Sequence, residues 1–442
     1  MKIALITSFP PSRHALNEYG YHVAEHLRQE PRVDLTVLGD YLPTPAEELP
    51  GFNVVRCWGF EKHGNLGTVL RAIRRVKPDV AWFNLGFASF GARPLTAVLG
   101  LLTPAAARLS GAYSHVTLHQ LFETVDLEDA GVSSPWLYRA GGWLATHLLL
   151  SANSLSVLMP AYRRTLEEKY RRGRVSARMH GIFAARPDPP DFTRRGNPTH
   201  NILAFGKWGT YKRLELLVEA FNRVATTFPD VRLVIGGGDH PKTPGYVQSM
   251  AERHASDRIR FLGYVPEESI ADLFREASLA VMPYTSSAGS SGVAHLAAQY
   301  GVPVIASGIQ DFRDLAEHEG IAMRFFTPGD VNGLVEQLLH ALNSPDELKE
   351  MAWRSYAAGV AMSMPQVVRE YIRSFRQHER IKTLQSAAGL RRAQSRAAQF
   401  HGQSDTGQSP EWQSQRVDEL ARAVGERIQR WQDEDEIASP SA

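Results

Sequence analysis

Cysteine is almost missing from this chain. One residue, Cys57, occurs among 442, so neither an intrachain disulfide framework nor a cysteine zinc site can form. That fits a reducing compartment. An excess of one charge is also missing. Lysine and arginine total 49, aspartate and glutamate 47, and the formal net charge of +2 provides no field for bulk binding of nucleic acid. No uncharged apolar stretch reaches the roughly 20 residues of a membrane-spanning helix. The nearest, Pro94 to Gly111, is PLTAVLGLLTPAAARLSG, interrupted by Pro104 and Arg108. It reads as a buried helix of an α/β domain in preference to a membrane-surface element. The N-terminus lacks a signal-peptide pattern: IALITSF is short and is followed by Pro10 and Pro11, which reads as a first strand. The expectation is a cytoplasmic chain. The first strand runs into SFPPSRH without a Gly-x-Gly-x-x-Gly turn, which argues against a dinucleotide-dependent oxidoreductase.

What is present is alternation. Lys2–Ser8, Val33–Leu38, Asn53–Trp58, Asp79–Leu85, Val116–His119 and Ser154–Met159 read as short apolar strands. Amphipathic segments such as Tyr19–Gln29 and Thr68–Val76 lie between them. Strand–helix–strand repetition predicts right-handed crossovers and a parallel, doubly wound sheet over residues 1–184. Residues 185–200 carry Pro187, Pro189, Pro190 and Pro198 and read as a linker. The alternation restarts with NILAFGKW, VRLVIGGG, IRFLGY, LAVMPY and PVIAS, with helical segments at Leu214–Phe228, Glu268–Ala277 and about Gly292 to Tyr300. This predicts a second α/β domain over 201–362 and a cleft between the two. A helix over 363–378 is expected to pack back on the body, followed by a polar tail, 379–442. In the tail Val417, Leu420, Val424, Ile428 and Trp431 recur at helical spacing near 411–432. That stripe reads first as packing and second as a peripheral contact with a partner or the inner membrane face.

The second domain carries the residues with chemistry. GKWGTYK places Lys207 and Lys212 in a glycine-containing loop, opened by Gly206, between a strand and a helix. Two ammonium groups at the carboxyl edge of a parallel sheet can clamp a diphosphate and offset charge on a departing nucleoside diphosphate. A second loop, Gly289-Ser290-Ser291-Gly292, also lies between a strand and a helix. Glycine lets backbone N–H groups approach an anion, and the helix N-terminus adds a favourable dipole. In GVPVI, Pro303 and Val304 read as purely structural. The Asp433-Glu434-Asp435 run is the nearest approach to an Asp-x-Asp metal motif and reads as solvated tail.

Taken in order, these pieces resemble the carboxyl-terminal domain of the retaining glycosyltransferases of family four, which have the GT-B fold. The resemblance runs from about Asn201 to Pro345. GKWGTYKR is similar to the family's two-cation stretch, which implies that Lys207 and Lys212 hold the donor diphosphate. VRLVIGGGD, with Gly237, looks like the glycine turn beside the donor. Tyr264 and Val265 match the segment that holds the nucleotide base, and FFTPGDVNGL resembles the Pro-Gly-Asp turn before a helix. The first domain is fainter: Glu18, Tyr19 and Gly20 stand where the family has its acceptor-side glycine loop. His119 ends a strand where the family has a histidine facing the sugar, and His180-Gly181 resembles its His-Gly element. One departure is clear. The family carries two glutamates, eight residues apart, around the helix after the glycine loop; here Ala288 and Leu296 take those positions. Ser290, Ser291 and His295 occupy the neighbourhood.

The resemblance implies hexosyl transfer from a nucleoside-diphosphate sugar to a glycan, lipid-linked or small-molecule hydroxyl, with retention and without a metal or other cofactor. The missing glutamates keep open a non-catalytic sugar- or nucleotide-binding subunit of the same fold.

Overall fold

The structure is a computed structural model. It describes residues 1–44, 47–124, 135–171, 174–192, 200–240, 243–286 and 289–401, together with 422, 424–426 and 429. Ala288, the helix expected near 411–432 and the acidic run at 433–435 lie outside or almost wholly outside these. Two compact units are present, Met1–Val368 and Arg369–Ala442. The first holds both sheets. The helix Met364–His401 begins in it and supplies most of what is described of the second.

The first sheet is built from β1 (Lys2–Ile6), β2 (Asp34–Asp40), β3 (Val54–Trp58), β4 (Val80–Leu85), β5 (Tyr113–Leu118), β6 (Ser154–Val157) and β7 (Val175–Ala177). Its order is β3-β2-β1-β4-β5-β6-β7, with every pairing parallel. β1 and β4 are buried almost throughout, as strands covered on both faces must be, and so read as near-continuous apolar runs. The second sheet contains β8 (Asn201–Phe205), β9 (Arg232–Gly236), β10 (Ile259–Gly263), β11 (Leu279–Met282), β12 (Val304–Ser307) and β13 (Met323–Phe326). Its order is β10-β9-β8-β11-β12-β13, again all parallel.

Both sheets therefore reverse direction beside their first strand, β1 against β4 and β8 against β11. Such a switch point leaves a crevice at the carboxyl ends of its strands, where open α/β sheets bind ligands. Helices close the faces by amphipathic packing. In Leu214–Thr227, Leu214, Leu217, Val218, Phe221, Val224 and Ala225 are buried, a stripe at helical spacing.

The expected strands are all found, with edges shifted by a few residues. The three-residue β7 and the edge strand β13 were not anticipated. The Pro94–Gly111 segment forms two helices, Pro94–Leu101 and Thr103–Leu109. Pro104 belongs to the first turn of the second, where a missing N–H costs nothing. The expected burial is incomplete: Leu95 and Leu109 are 60% and 87% exposed. After the second sheet the chain returns to the first. The Ile182 N–H donates to Met362 O at 3.0 Å, and the Met364 N–H to Ile182 O at 2.9 Å.

Candidate donor site between the two sheets

The loop after β8 is laid on a rigid floor. Trp208 is fully buried; its indole N–H donates to Gly236 O at 2.9 Å and its backbone N–H to Gly238 O at 2.8 Å. Gly237, at φ 105°, lies so close to the loop that a Cβ there would stand 1.9 Å from Gly206 O. No L side chain fits, and the ends of β8 and β9 can pack only through glycine.

On this floor Lys212 turns inward from a short 3-10 turn, Thr210–Lys212. Its side chain is buried, with Nζ 4.6 Å from the Tyr284 ring centre and 5.6 Å from that of Trp208. Cation–π attraction of this kind offsets part of the desolvation cost. The position a Cβ would take on Gly206 is 2.8 Å from Lys212 Nζ, 3.5 Å from Val293 Cγ2 and 3.8 Å from the Tyr284 hydroxyl. Three elements thus meet at one point: the β8 loop, the loop after β11, and the first turn of the helix Gly292–Gln299. The Thr285 N–H, donating to Tyr211 O at 2.8 Å, clips the two loops together. Burial first, and Lys207 second, lower the Lys212 pKa to about 8. Lys207 itself is exposed.

The helix Gly292–Gln299 is capped by Ser291, whose hydroxyl accepts from the Ala294 N–H at 3.4 Å. Ser290 Oγ and the Tyr284 hydroxyl are buried without a hydrogen-bond partner among the described residues. Gly289, at φ 103°, touches the first domain: a Cβ there would lie 2.5 Å from His119 O. The Tyr162 hydroxyl accepts from the Gly289 N–H at 2.8 Å and donates to Asp311 at 3.2 Å. Desolvation, resisted by that bond, raises Asp311 to about 6.

His119 is buried at the end of β5. Its Nε2 donates to Asn84 Oδ1 at 2.6 Å, and Asn84 donates to Thr7 Oγ1 at 3.0 Å. An amide oxygen fixes the tautomer with Nε2 protonated, and burial lowers the pKa to about 3, so the ring is neutral. Tyr19 packs edge-on against His119 at 4.6 Å and beside His180 at 4.8 Å. His180 in turn lies 4.6 Å from His295 across the domain boundary. Burial and the neighbouring His295 hold His180 well below the ordinary histidine range. His295 donates from Nδ1 to Ser291 O and from Nε2 to Glu319, both at 2.7 Å. Two such acceptors favour the doubly protonated ring. Burial opposes that state, but Glu319, the larger of the two favourable partners, and Ser291 raise the pKa.

The remaining expected residues are more scattered. Gly20 lies against Thr7 beneath β1. Glu18 is exposed at the cleft mouth. Desolvation first and Glu267 second raise its pKa, while Lys207 lowers it. Glu18, His22 and Glu267 offer ligand atoms within 4.8 Å of one another, a set of donors that could accept a cation. Val265 is buried against the Gly236 end of β9, whereas the Tyr264 side chain is 81% exposed. Leu296, at the position of the second family glutamate, is half-buried against the core and helps line a small cavity with His180, Phe183, Gly292 and His295. Tyr284, Tyr162, Asn84 and Glu319 were not singled out from sequence. Tyr284 alone left a signal there, at the strand end opposite the lysine loop.

This geometry has counterparts among known proteins. A sucrose-phosphate synthase from Thermosynechococcus elongatus superposes with a TM-score of 0.65 at 17% identity, over 86% of this chain and 99% of that one. Anabaena HepE in complex with UDP-glucose superposes at 0.61, with 15% identity, over 85% of this chain and 100% of its own. The fold is GT-B. Within it, residues 199–344 match the family model of glycosyl transferases group 1, which spans the second sheet and both loops of the site. A phosphatidyl-myo-inositol mannosyltransferase from Propionibacterium freudenreichii is 28% identical over 177 residues, 39% of this chain and 43% of that protein. The similarity thus spans less than half of that relative's length. Within this frame the loop after β11 meets the end of β5, where Gly289 lies against His119 O and Tyr19 packs on the His119 ring.

Proposed function

We propose that the chain is a nucleoside-diphosphate-sugar-dependent glycosyltransferase that moves a hexosyl group to an acceptor hydroxyl with retention of configuration. The observation that carries this reading is the convergence of the buried Lys212 ammonium with the first turn of the helix Gly292–Gln299. Among the described residues no carboxylate pairs with Lys212, and an unpaired buried cation is costly; a diphosphate laid between it and the helix N-terminus supplies the missing charge. The names of the relatives support the reading: one transfers mannose, and HepE holds UDP-glucose.

In this reading the donor's C1–O bond to the β-phosphate breaks while the acceptor oxygen bonds to C1. The acceptor proton passes to the departing phosphate oxygen. Lys207, Lys212 and the backbone N–H groups of Gly289–Gly292 stabilise the charge developing on that oxygen. No side-chain nucleophile is assigned, and charge compensation is assigned to the lysines rather than to a metal ion. Tyr264 and Val265 hold the base through their backbone. His119, neutral and anchored by Asn84, offers its unprotonated Nδ1 as an acceptor toward the sugar or acceptor hydroxyl. Glu18, Tyr19 and Gly20 shape the acceptor side. His295 fills the site of the absent glutamates with a cation held by Glu319, and Ser290 offers a free hydroxyl. The acceptor is a glycan, a lipid-linked glycan or a small molecule, and the reaction is cytoplasmic.

Release of nucleoside diphosphate from a panel of UDP-, GDP- and ADP-sugars, assayed with candidate acceptors and with EDTA, tests this. The expected result is acceptor-stimulated, EDTA-resistant release from one donor class. Tight donor binding with no release under any acceptor would favour a non-catalytic binding subunit of the same fold.

A further inference from the structure

The helix that follows β12, Gln310–Glu319, carries a cluster of donors that the diphosphate chemistry does not use. Asp314, Glu317 and His318 stand at positions i, i+3 and i+4, which share one face of a helix. Each brings a ligand atom within 4.8 Å of the other two. Asp314 is buried, 3% exposed, and its Oδ1 accepts from Gln310 Nε2 at 2.9 Å. Its other oxygen, Oδ2, has no hydrogen-bond partner among the described residues, and neither has the buried Nε2 of His318. Buried polar atoms are ordinarily satisfied, and a carboxylate oxygen is among the costliest to leave bare.

Among the described residues no lysine or arginine pairs with Asp314 or Glu317. Arg313, beside them in the chain, instead donates to Gly308 O at 3.1 Å and lies over the Phe325 ring at 4.9 Å. Glu319, the next residue along, is committed to His295. The cluster occupies the last turns of the helix, which ends before Gly320 at φ 76°. There the backbone carbonyls add negative potential, which favours a cation. A nitrogen donor beside two carboxylates suits ions of the zinc class, whereas magnesium and calcium prefer oxygen alone. The donor set at the cleft mouth, Glu18, His22 and Glu267, lacks this signature: among the described residues none of its atoms is buried without a partner.

We propose that Asp314, Glu317 and His318 hold one divalent transition-metal ion of the zinc class, with water completing its shell. The two carboxylates supply anionic oxygen and His318 a neutral ring nitrogen. A small turn of the side chains closes the present separations to bonding distance. The ion's role is structural. It ties down the last turns of a helix whose first turn carries Asp311, the acceptor of the Tyr162 hydroxyl. That hydroxyl in turn accepts from the Gly289 N–H, so the ion steadies the anchor of the glycine loop. None of the three ligands belongs to the donor set, and the inference stands apart from the glycosyltransferase reading.

Titration of the untagged, chelator-stripped full chain with Zn²⁺, in competition with a fluorescent chelator, tests the site. The expected result is one tight equivalent per chain and a thermal midpoint raised by roughly 2 °C or more; Mg²⁺ should give neither. Asp314→Asn, Glu317→Gln and His318→Gln should each raise the zinc Kd by roughly tenfold or more. Glu317 is exposed, so its variant keeps the test decisive should a buried substitution fail to fold. Glu267→Gln, at the cleft mouth, should bind zinc as the parent does. No zinc bound by the parent, equal affinity in the parent and the three variants, or affinity lost in Glu267→Gln alone overturns the inference. Thermal shifts with nucleoside diphosphates, measured on the zinc-free chain, keep the two readings apart. A failed zinc titration with normal nucleotide shifts overturns the metal site alone.

Discussion

Lys212 is the residue on which the site turns. Its lowered pKa, about 8, follows from burial first and from Lys207 second, and both terms describe a cation short of counter-charge. Because the folded value lies below the ordinary lysine value of about 10.4, the lysine destabilises the fold fully below pH 8. That penalty is relieved as pH rises toward 10. A bound diphosphate reverses the shift, so binding near pH 8 should take up a proton. Calorimetric titration in buffers of different ionisation enthalpy reads this directly. No proton uptake would mean that Lys212 does not meet the phosphates. Replacing Lys207 and Lys212 together by alanine should leave folding intact, since the pair costs rather than contributes stability. Donor turnover should nonetheless fall by roughly 10²-fold or more. The two lysines were legible in the sequence because their loop follows a strand and precedes a helix. Tyr162 was not. Its hydroxyl meets Gly289 from 127 residues away in the chain, and no local pattern encodes such a contact.

The elements that align the site are loops pinned by close backbone approach. Gly289→Ala would force a side chain into the left-handed region and against His119 O. We expect a loss of about 1–3 kcal/mol, read as a lower midpoint in urea denaturation. An unchanged midpoint would show that the loop rides free of the first domain. Tyr162→Phe should cost less, about 1 kcal/mol, while raising the donor KM more than it lowers kcat, because it removes an anchor of the glycine loop and no reacting group. Most strands and the two α/β halves were readable because parallel buried strands are continuous apolar runs. β7 escaped because its three residues, Val175, Ser176 and Ala177, are all half-buried and carry no such run. The Pro94–Gly111 segment is buried only in part for an opposite reason: its composition is apolar throughout, and only the structure shows that Leu95 and Leu109 have no cover while Leu101 and Ala107 do.

Across the whole molecule, several histidines sit buried or half-buried in and around the first sheet. Desolvation lowers His22 to about 4 and His115 and His119 to about 3, and it holds His180 far down. These groups take up protons on unfolding. Their stabilising contribution is therefore complete above the ordinary histidine value of about 6.5 and is lost as pH falls below it. His295 runs the other way: raised by Glu319, it contributes below about 6.5 and loses that contribution as pH climbs through its own folded value. The four depressed histidines outweigh His295 and Asp311, whose raised values favour the fold as pH falls, and predict a Tm that falls from pH 7 to pH 5. The measurement closest to the central claim is a thermal-shift panel of nucleoside diphosphates on the parent chain and on Lys207→Ala/Lys212→Ala. At about 100 times its Kd, one of them should stabilise the parent by about 2.7 kcal/mol and leave the double variant unmoved. Equal shifts in both proteins, or no shift with any nucleotide, would contradict a diphosphate site between Lys212 and the helix Gly292–Gln299.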